Sequence, residues 1–433
     1  MSDPTRPKHR SRVVITAALL AVALLGAACG SSKSSDAGTT ATTVVADPAA
    51  TAPNAAQPAY EAAGPYVPGV TTLDLDGRTV AVYYPADKGA ETGKTKDIFR
   101  ISTLLPDSLK SLIPENLDPK YETDAFRDIT ASTAGPFPVV LFSHGYAAYP
   151  TLYAFLLTHL ASWGFVVVAP DHTERGLLAA VSNCVKPADD AKVLLAARDL
   201  AVQKSNDPTS ILHATIDPTK VATVGHSAGA AAAVKTAQDA SVTTFVALDG
   251  GGIGGNSSSS TPPVTTTAGC IDQTATTTTA AGADTTTSTA IPASAIPNKP
   301  GMLITGGNDQ VIPLARLQPF YDQMASPKRL VVIDGAGHNS VTDICLIGTD
   351  QGGLIAIAGK VGIPVPATVG RLFNDGCSAG GNYPDVKQVW LIPRHFIVAQ
   401  LRNVFGIDAQ PVGLGPAIAT AFPPLTLTYQ SSN

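Results

Sequence analysis

Apolar residues fall in short, dense runs bounded by Gly, Pro, Asp or Asn: FPVVLF at 137–142, FVVVAP at 165–170, VATV at 221–224, TTFVAL at 243–248, GMLIT at 301–305 and RLVVI at 329–333. Runs this short, rich in β-branched residues and without polar alternation, predict strands covered on both faces. Between and after them lie stretches with helical spacing, at about 151–163, 188–204, 314–325 and 388–405. In the second, Val193, Leu194, Ala197 and Leu200 or Ala201 share one face. Strands alternating with helices predict an α/β fold, a mainly parallel sheet flanked by helices. At 66–85 the pattern instead alternates around Asp76-Gly77, which predicts an antiparallel N-terminal hairpin. Residues 87–136 are mixed, with an amphipathic piece near 98–113, expected at a sheet edge or beside the site.

Two stretches lack any periodicity. Residues 29–58 are rich in Ser, Thr, Ala and Pro and read as a disordered tether. Residues 250–295 are rich in Gly, Ser and Thr and read as a flexible insertion, because they cannot bury enough apolar surface to offset their ordering entropy. The GGGIGG of that insertion opens no helix and carries no Lys, so it is not a phosphate loop. The N-terminus has Arg6, Lys8, Arg10 and Arg12 ahead of an apolar stretch too short to span a bilayer, the pattern of an export signal over 1–28. Leu25-Gly26-Ala27-Ala28-Cys29 resembles a bacterial lipobox, with Gly26 where Leu is commoner. Cys29 is therefore the expected lipidation site, anchoring an exported chain at the outer face of the cytoplasmic membrane. One globular domain, 59–433, remains.

Composition narrows the partners. Of 433 residues, the formal net charge is −5 and no basic run follows the N-terminus, so nucleic acid is not an expected partner. A monomer is expected. No Cys-x-x-Cys or paired-His spacing suggests a metal, and no cofactor is called for. Export would place Cys184, Cys270, Cys345 and Cys377 in an oxidising compartment, where four cysteines suggest two disulfides. Of the three pairings, Cys345–Cys377 is favoured because it closes the irregular segment between them.

The chemistry concentrates where Val221-Ala222-Thr223-Val224 ends in Gly225-His226-Ser227-Ala228-Gly229 and an Ala-rich helical segment follows. A strand, a Gly-x-Ser-x-Gly turn and a helix push a serine hydroxyl out above the sheet. Ser227 is the expected nucleophile. Asp309, in GGNDQVIP, follows one strand, and His338, in GAGHNS, follows the next. A serine is a poor nucleophile at neutral pH, so His338 would take its proton while Asp309 holds the imidazole tautomer. Asp249 also ends a strand and is the alternative acid. Oxyanion donors are expected from the backbone amides of Ala228 and Tyr146, and the Tyr146 ring is a possible substrate wall. His144 and His226 are expected to make structural hydrogen bonds, and Asp171 and His172 to fix a loop.

These blocks resemble the α/β-hydrolases. The group they resemble includes dienelactone-hydrolase-like enzymes, platelet-activating-factor acetylhydrolases and cutinase-like bacterial polyester hydrolases. LFSHGYAAYPTLYAFLLTHLASWGFVVVAPDH is similar to the oxyanion loop, helix and strand of the acetylhydrolase branch. PGMLITGGNDQVIPLARLQPFYDQM and GAGHNS are similar to the acid and histidine segments of the polyester-hydrolase branch. The resemblance implies Ser227, Asp309 and His338 as a triad in that chain order, and oxyanion donors at Tyr146 and Ala228. The acetylhydrolase pattern would place the acid at Asp249 instead; the longer GGNDQVIP match favours Asp309. Dienelactone hydrolases proper use a cysteine nucleophile, which Ser227 replaces here. The insertion and the segment after His338 depart from all three patterns.

The expectation is thus an exported, lipid-anchored serine hydrolase of carboxylic esters, acting on an ester with an apolar acyl chain. The alternatives are a polyester or lipid hydrolase, amide hydrolysis by the same triad, and a non-catalytic binding lipoprotein on a hydrolase scaffold. Residues 340–384 are expected either to form a lid or to pack against the last helix.

Overall fold

The computed structural model describes residues 54–105, 110–111, 113–181, 184–251, 295–377 and 382–432. The export signal, Cys29, most of the tether, Cys270 and residues 252–294 of the insertion lie outside them. The strands are β1 (Val67–Leu75), β2 (Arg78–Ala86), β3 (Lys96–Arg100), β4 (Lys120–Arg127), β5 (Phe137–Ser143), β6 (Val166–Pro170), β7 (Ile216–His226), β8 (Val242–Leu248), β9 (Gly301–Gly306), β10 (Lys328–Ile333) and β11 (Leu427–Ser432). Among the described residues they form one sheet in the order β11-β10-β9-β8-β7-β5-β6-β2-β1-β4-β3. From β10 to β6 every neighbour is parallel. The β1–β2 hairpin turns at Asp76-Gly77, both with positive φ, and joins β6 antiparallel.

Helices cover both faces: α1 (Ala154–Ser162), α2 (Leu177–Val181), α3 (Asp190–Asn206), α4 (Ala228–Thr236), α5 (Leu314–Gln323), α6 (Gly353–Lys360), α7 (Ala367–Asn374) and α8 (Val386–Val404). Side chains alternate across a strand. Val140 and Phe142 of β5 therefore join one apolar layer with Leu156 of α1 and Phe396 of α8. Val139 and Leu141 join the other, with Leu194 of α3, Val234 of α4 and Phe320 of α5. The parallel order puts the carboxyl ends of β5, β7, β8, β9 and β10 along one rim, and the loops leaving that rim carry the chemistry.

Several elements differ from the sequence reading. β7 begins at Ile216, ahead of the apolar run at 221–224, and takes in Asp217-Pro218. Phe137 and Pro138 pair with Ile216 and Asp217, Val139 then pairs with Val221, and residues 218–220 bulge out because Pro218 has no N–H to give the ladder. The start of the amphipathic piece near 98–113 is a strand, β3, paired with β4 at the sheet edge. Residues 54–58, assigned to the tether by composition, are docked. The amides of Gly413 and Gly415 donate to the carbonyls of Asn54 and Ala55 at 2.9 and 3.0 Å. Gly250 and Gly251, the first residues of the expected insertion, belong to the folded body, with Gly250 packed on Ala230 and the Ser227 backbone.

The segment after His338 holds two short helices, α6 and α7, and does two things at once. Val341, Ile357, Val369 and Phe373 are buried in the apolar layer shared with α8. Cys345 and Cys377 are joined by a disulfide. Asp343 pins its start, accepting from the Phe155 amide of α1 (3.0 Å) and the Tyr121 hydroxyl of β4 (2.7 Å). Burial pushes the Asp343 carboxyl up to about 6, although those two donors and Arg394 pull it down. The native state therefore holds this proton more tightly than the unfolded chain. Stability is highest below about pH 4 for this group and falls as pH rises to about 6, a cost of about 3 kcal/mol once both states are ionised. Asp343→Asn removes the titration. In urea unfolding, the variant should gain about 3 kcal/mol relative to the native chain between pH 4 and pH 7.5; a difference constant with pH would show that Asp343 titrates normally.

Candidate active site

Ser227 sits between β7 and α4 with φ 57° and ψ −120°, a conformation that costs about 1–3 kcal/mol for a residue with a side chain. The neighbouring glycines make room for it. A Cβ on Gly225 would lie 2.0 Å from the Gly229 carbonyl oxygen, and one on Gly229 would lie 2.0 Å from that of Ser143. The strand, the turn and the helix can close on one another only without those side chains, and Ser227 is left partly exposed at the rim.

The loops after β9 and β10 bring the other two groups to it. Ser227 Oγ lies 2.9 Å from His338 Nε2, and His338 Nδ1 lies 2.8 Å from Asp309 Oδ2. Asp309 Oδ1 accepts from the amides of Val311 and Ile312, both at 2.7 Å. Those bonds leave Oδ2 to face the imidazole. His338 is fully buried and Asp309 nearly so. An Nδ1–H donated to the carboxylate leaves the Nε2 lone pair for the serine proton.

Asp249, the alternative acid, faces elsewhere. Its Oδ1 accepts from the Gly306 amide (2.7 Å) and the Thr305 hydroxyl (3.2 Å) of β9. Burial first, and then the charge of Asp309, raise its carboxyl well above the usual range. Its nearest cationic-type neighbour is His226 Nε2, 3.8 Å away. Its hydrogen bonds run to β9, and it is Asp309, not Asp249, that is bonded to the His338 imidazole.

The two expected oxyanion donors flank Ser227. Ala228 is the first residue of α4, so its N–H has no intrahelical acceptor. Tyr146 follows Gly145 on the loop after β5, and Gly145 lies so close to the nucleophile that a Cβ there would be 3.4 Å from Ser227 Cβ. Among the described residues, neither amide has a protein acceptor. The half-buried Tyr146 ring lines the cleft with Leu152, Ile344, Leu372 and Phe373. The cleft beside Ser227 holds only about 20 Å³. A cavity of about 870 Å³ opens beyond Tyr149–Thr151, between Tyr83, Phe99 and Glu174, but no triad residue lines it.

Three groups that sequence reasoning did not single out hold this arrangement. Tyr153 accepts from the Gly145 amide (2.9 Å) and donates to His226 Nδ1 (2.8 Å), and His226 Nε2–H donates to the His338 carbonyl (2.9 Å). Burial, then the proximity of His338, hold His226 well below the usual imidazole range, so it stays neutral. Asp375, just after α7, clasps both triad loops. Its Oδ2 accepts from the Gln310 amide at 2.8 Å, its Oδ1 from the Tyr383 hydroxyl at 2.9 Å and from the His338 amide at 3.4 Å, and its carbonyl from the Asn339 amide at 2.8 Å. The Asn339 side chain in turn donates to the Leu372 carbonyl. The third is Arg175, behind the oxyanion loop, beside His144 and His172. Those two histidines make structural hydrogen bonds: His144 Nδ1 to the Gly145 carbonyl, and His172 Nε2 to Ser143 Oγ.

The sheet and its covering helices have a parallel among solved structures. A ferulic acid esterase from Streptomyces cinnamoneus superposes over 83% of this chain and 96% of its own, with a TM-score of 0.52 and 19% sequence identity. The chain has the α/β-hydrolase fold. The family model described as Chlorophyllase matches residues 113–272. That match takes in the Tyr146 loop, the elbow at Ser227 and Asp249, and ends before Asp309 and His338. The likeness to that esterase, at 19% identity, is one of fold.

Proposed function

We propose that the protein is a serine esterase with Ser227 as nucleophile, His338 as base and Asp309 as acid. The hydrogen-bonded line Ser227–His338–Asp309, ending beside two unengaged amides, carries the reading. Ser227 Oγ attacks the ester carbonyl as His338 Nε2 takes its proton. Asp309 stabilises the imidazolium, and the amides of Tyr146 and Ala228 hold the oxyanion. Collapse expels the alcohol, which takes the proton from His338, and an acyl-serine remains. A water deprotonated by His338 then attacks that acyl group, and the carboxylic acid leaves as Ser227 recovers its proton. The residues call for no cofactor.

Substrate size follows from the cleft. The cleft is narrow, and Leu152, Ile344, Leu372 and Phe373 give it an apolar side that suits a short acyl chain. Across p-nitrophenyl esters from acetyl to palmitoyl, kcat/KM should be highest at acetyl to butyryl and about 10-fold or more lower at palmitoyl. A palmitoyl optimum would overturn this and require the wall formed by Leu372 and Phe373 to swing away, the behaviour of a lipase or polyester hydrolase. The reading also keeps the exported, lipid-anchored chain proposed from Cys29 and the signal pattern, with the domain acting at the cell envelope. Palmitate labelling of the expressed chain, lost in Cys29→Ser, would test the anchor.

A further inference from the structure

We propose that Arg175 is a positioning residue for the oxyanion hole, acting through the Gly145–Tyr146 peptide. This rests on the serine-esterase reading above and adds to it the group that aims one of its two donors. Arg175 is buried and stands behind the loop, away from the cleft. Its Nη1 donates to the carbonyls of His144 at 2.6 Å and Gly145 at 2.8 Å, its Nη2 to Ser143 Oγ at 3.0 Å, and its Nε to Asp190 Oδ2 at 2.8 Å. Its own carbonyl accepts from the Ala147 amide at 2.8 Å. One side chain thus holds the last residue of β5 and the first two of the loop after it, and its main chain adds a fourth contact two residues beyond Gly145.

The decisive contact is the one to Gly145. A peptide unit is planar and trans, so its carbonyl and the following N–H point in opposite directions. Fixing the Gly145 carbonyl toward the interior fixes the Tyr146 N–H toward Ser227. Gly145 is pinned from both sides: Tyr153 takes its N–H, while Arg175 and His144 Nδ1 share its carbonyl. A guanidinium on the carbonyl oxygen also polarises the peptide, which makes the N–H at its other end a stronger donor to developing negative charge. Burial of the cluster keeps this effect from being screened. Asp190, held against Arg175 and His172, fixes the guanidinium plane. Although burial raises its carboxyl, the His172 ring nitrogen 3.1 Å away and the Arg175 charge outweigh that and keep it ionised.

A defect of this kind has a signature that a loose fold lacks. An oxyanion donor acts on an oxygen that becomes negative, and does little for a sulfur in its place. The test compares an acetyl oxoester with its thionoester in the native chain, Arg175→Lys and Arg175→Met. Lysine keeps the charge but cannot reach Ser143, the two carbonyls and Asp190 together. In Arg175→Lys, kcat on the oxoester should fall about 10- to 100-fold with KM nearly unchanged, and the oxoester-to-thionoester rate ratio should fall by a similar factor. Arg175→Met should show the larger fall in both. The ratio is formed within one preparation, so unfolded protein cancels from it. An unchanged ratio, whether or not the absolute rates drop, would reduce Arg175 to a structural residue and overturn the proposal. Fluorophosphonate labelling of the native chain keeps the two readings apart. No labelling would sink the esterase reading itself, whereas labelling with an unchanged ratio sinks only the role of Arg175.

Discussion

Ser227→Ala should lower kcat on p-nitrophenyl acetate by about 10⁴-fold or more and abolish labelling by a fluorophosphonate, while leaving the thermal unfolding midpoint nearly where it was. The size of the effect follows from the mechanism. Without Oγ no acyl-enzyme forms, and what remains is water attacking an ester held against the Tyr146 and Ala228 amides. The small effect on stability follows from the position of the side chain, which is partly exposed and has its hydroxyl directed at His338. A variant that kept more than about a hundredth of the native rate would place the nucleophile elsewhere and remove the basis of the esterase reading.

The second large effect separates two aspartates. Asp309→Asn should cost about 10⁴-fold in kcat, because an amide no longer holds the Nδ1–H tautomer of His338 or stabilises its cation. Asp249→Asn should stay within about 10-fold of the native rate. Burial and the nearby charge of Asp309 push its carboxyl well above the usual range, toward the neutral acid that an amide resembles in shape. The Asn oxygen can still accept from the Gly306 amide, as Oδ1 does now. The reverse outcome, a dead Asp249→Asn beside an active Asp309→Asn, would move the acid to the end of β8 and make the 2.8 Å contact of Asp309 with His338 incidental to the reaction.

The central strands were legible because their side chains do the stabilising. FPVVLF, FVVVAP and GMLIT are apolar on both faces, and their burial can be read from composition. The edges were not. In β11 only Leu427 is buried, and the rest of its LTYQSS is held by ladder bonds to β10, which leave no mark on the sequence. The start of the 98–113 piece does lie at the sheet edge, as expected, but its strand form was not legible: Ile98 is exposed, Phe99 is buried, and β3 exists because β4 is there to pair with it. The disulfide differs again. Cys345–Cys377, the favoured pairing, is present among the described residues and closes the segment between them.

The site divides along the same line. Ser227, Asp309 and His338 each sit in a local string whose glycines and strand ends announce a turn at the rim. Asp309 and Asp249 could not be separated that way, since both end strands. Only the direction of each side chain tells them apart, toward His338 or toward β9. Arg175, Tyr153 and Asp375 work through contacts made across the fold. Asp375 stands in Asn374-Asp375-Gly376, which reads as any turn carboxylate, and its partners Gln310 and His338 lie far away in the chain.

Asp375 also changes what kind of part the segment around it is. Residues 340–384 look like a module that could be exchanged between related enzymes to alter what they accept. Here the module carries one of the brackets that hold the acid and base loops together. A wholesale graft would import a new substrate wall and loosen the triad in the same step. Re-engineering this enzyme for other esters is better confined to the faces of Ile344, Leu372 and Phe373, with the backbone from Asn374 to Gly376 left in place as a fixed point of the design.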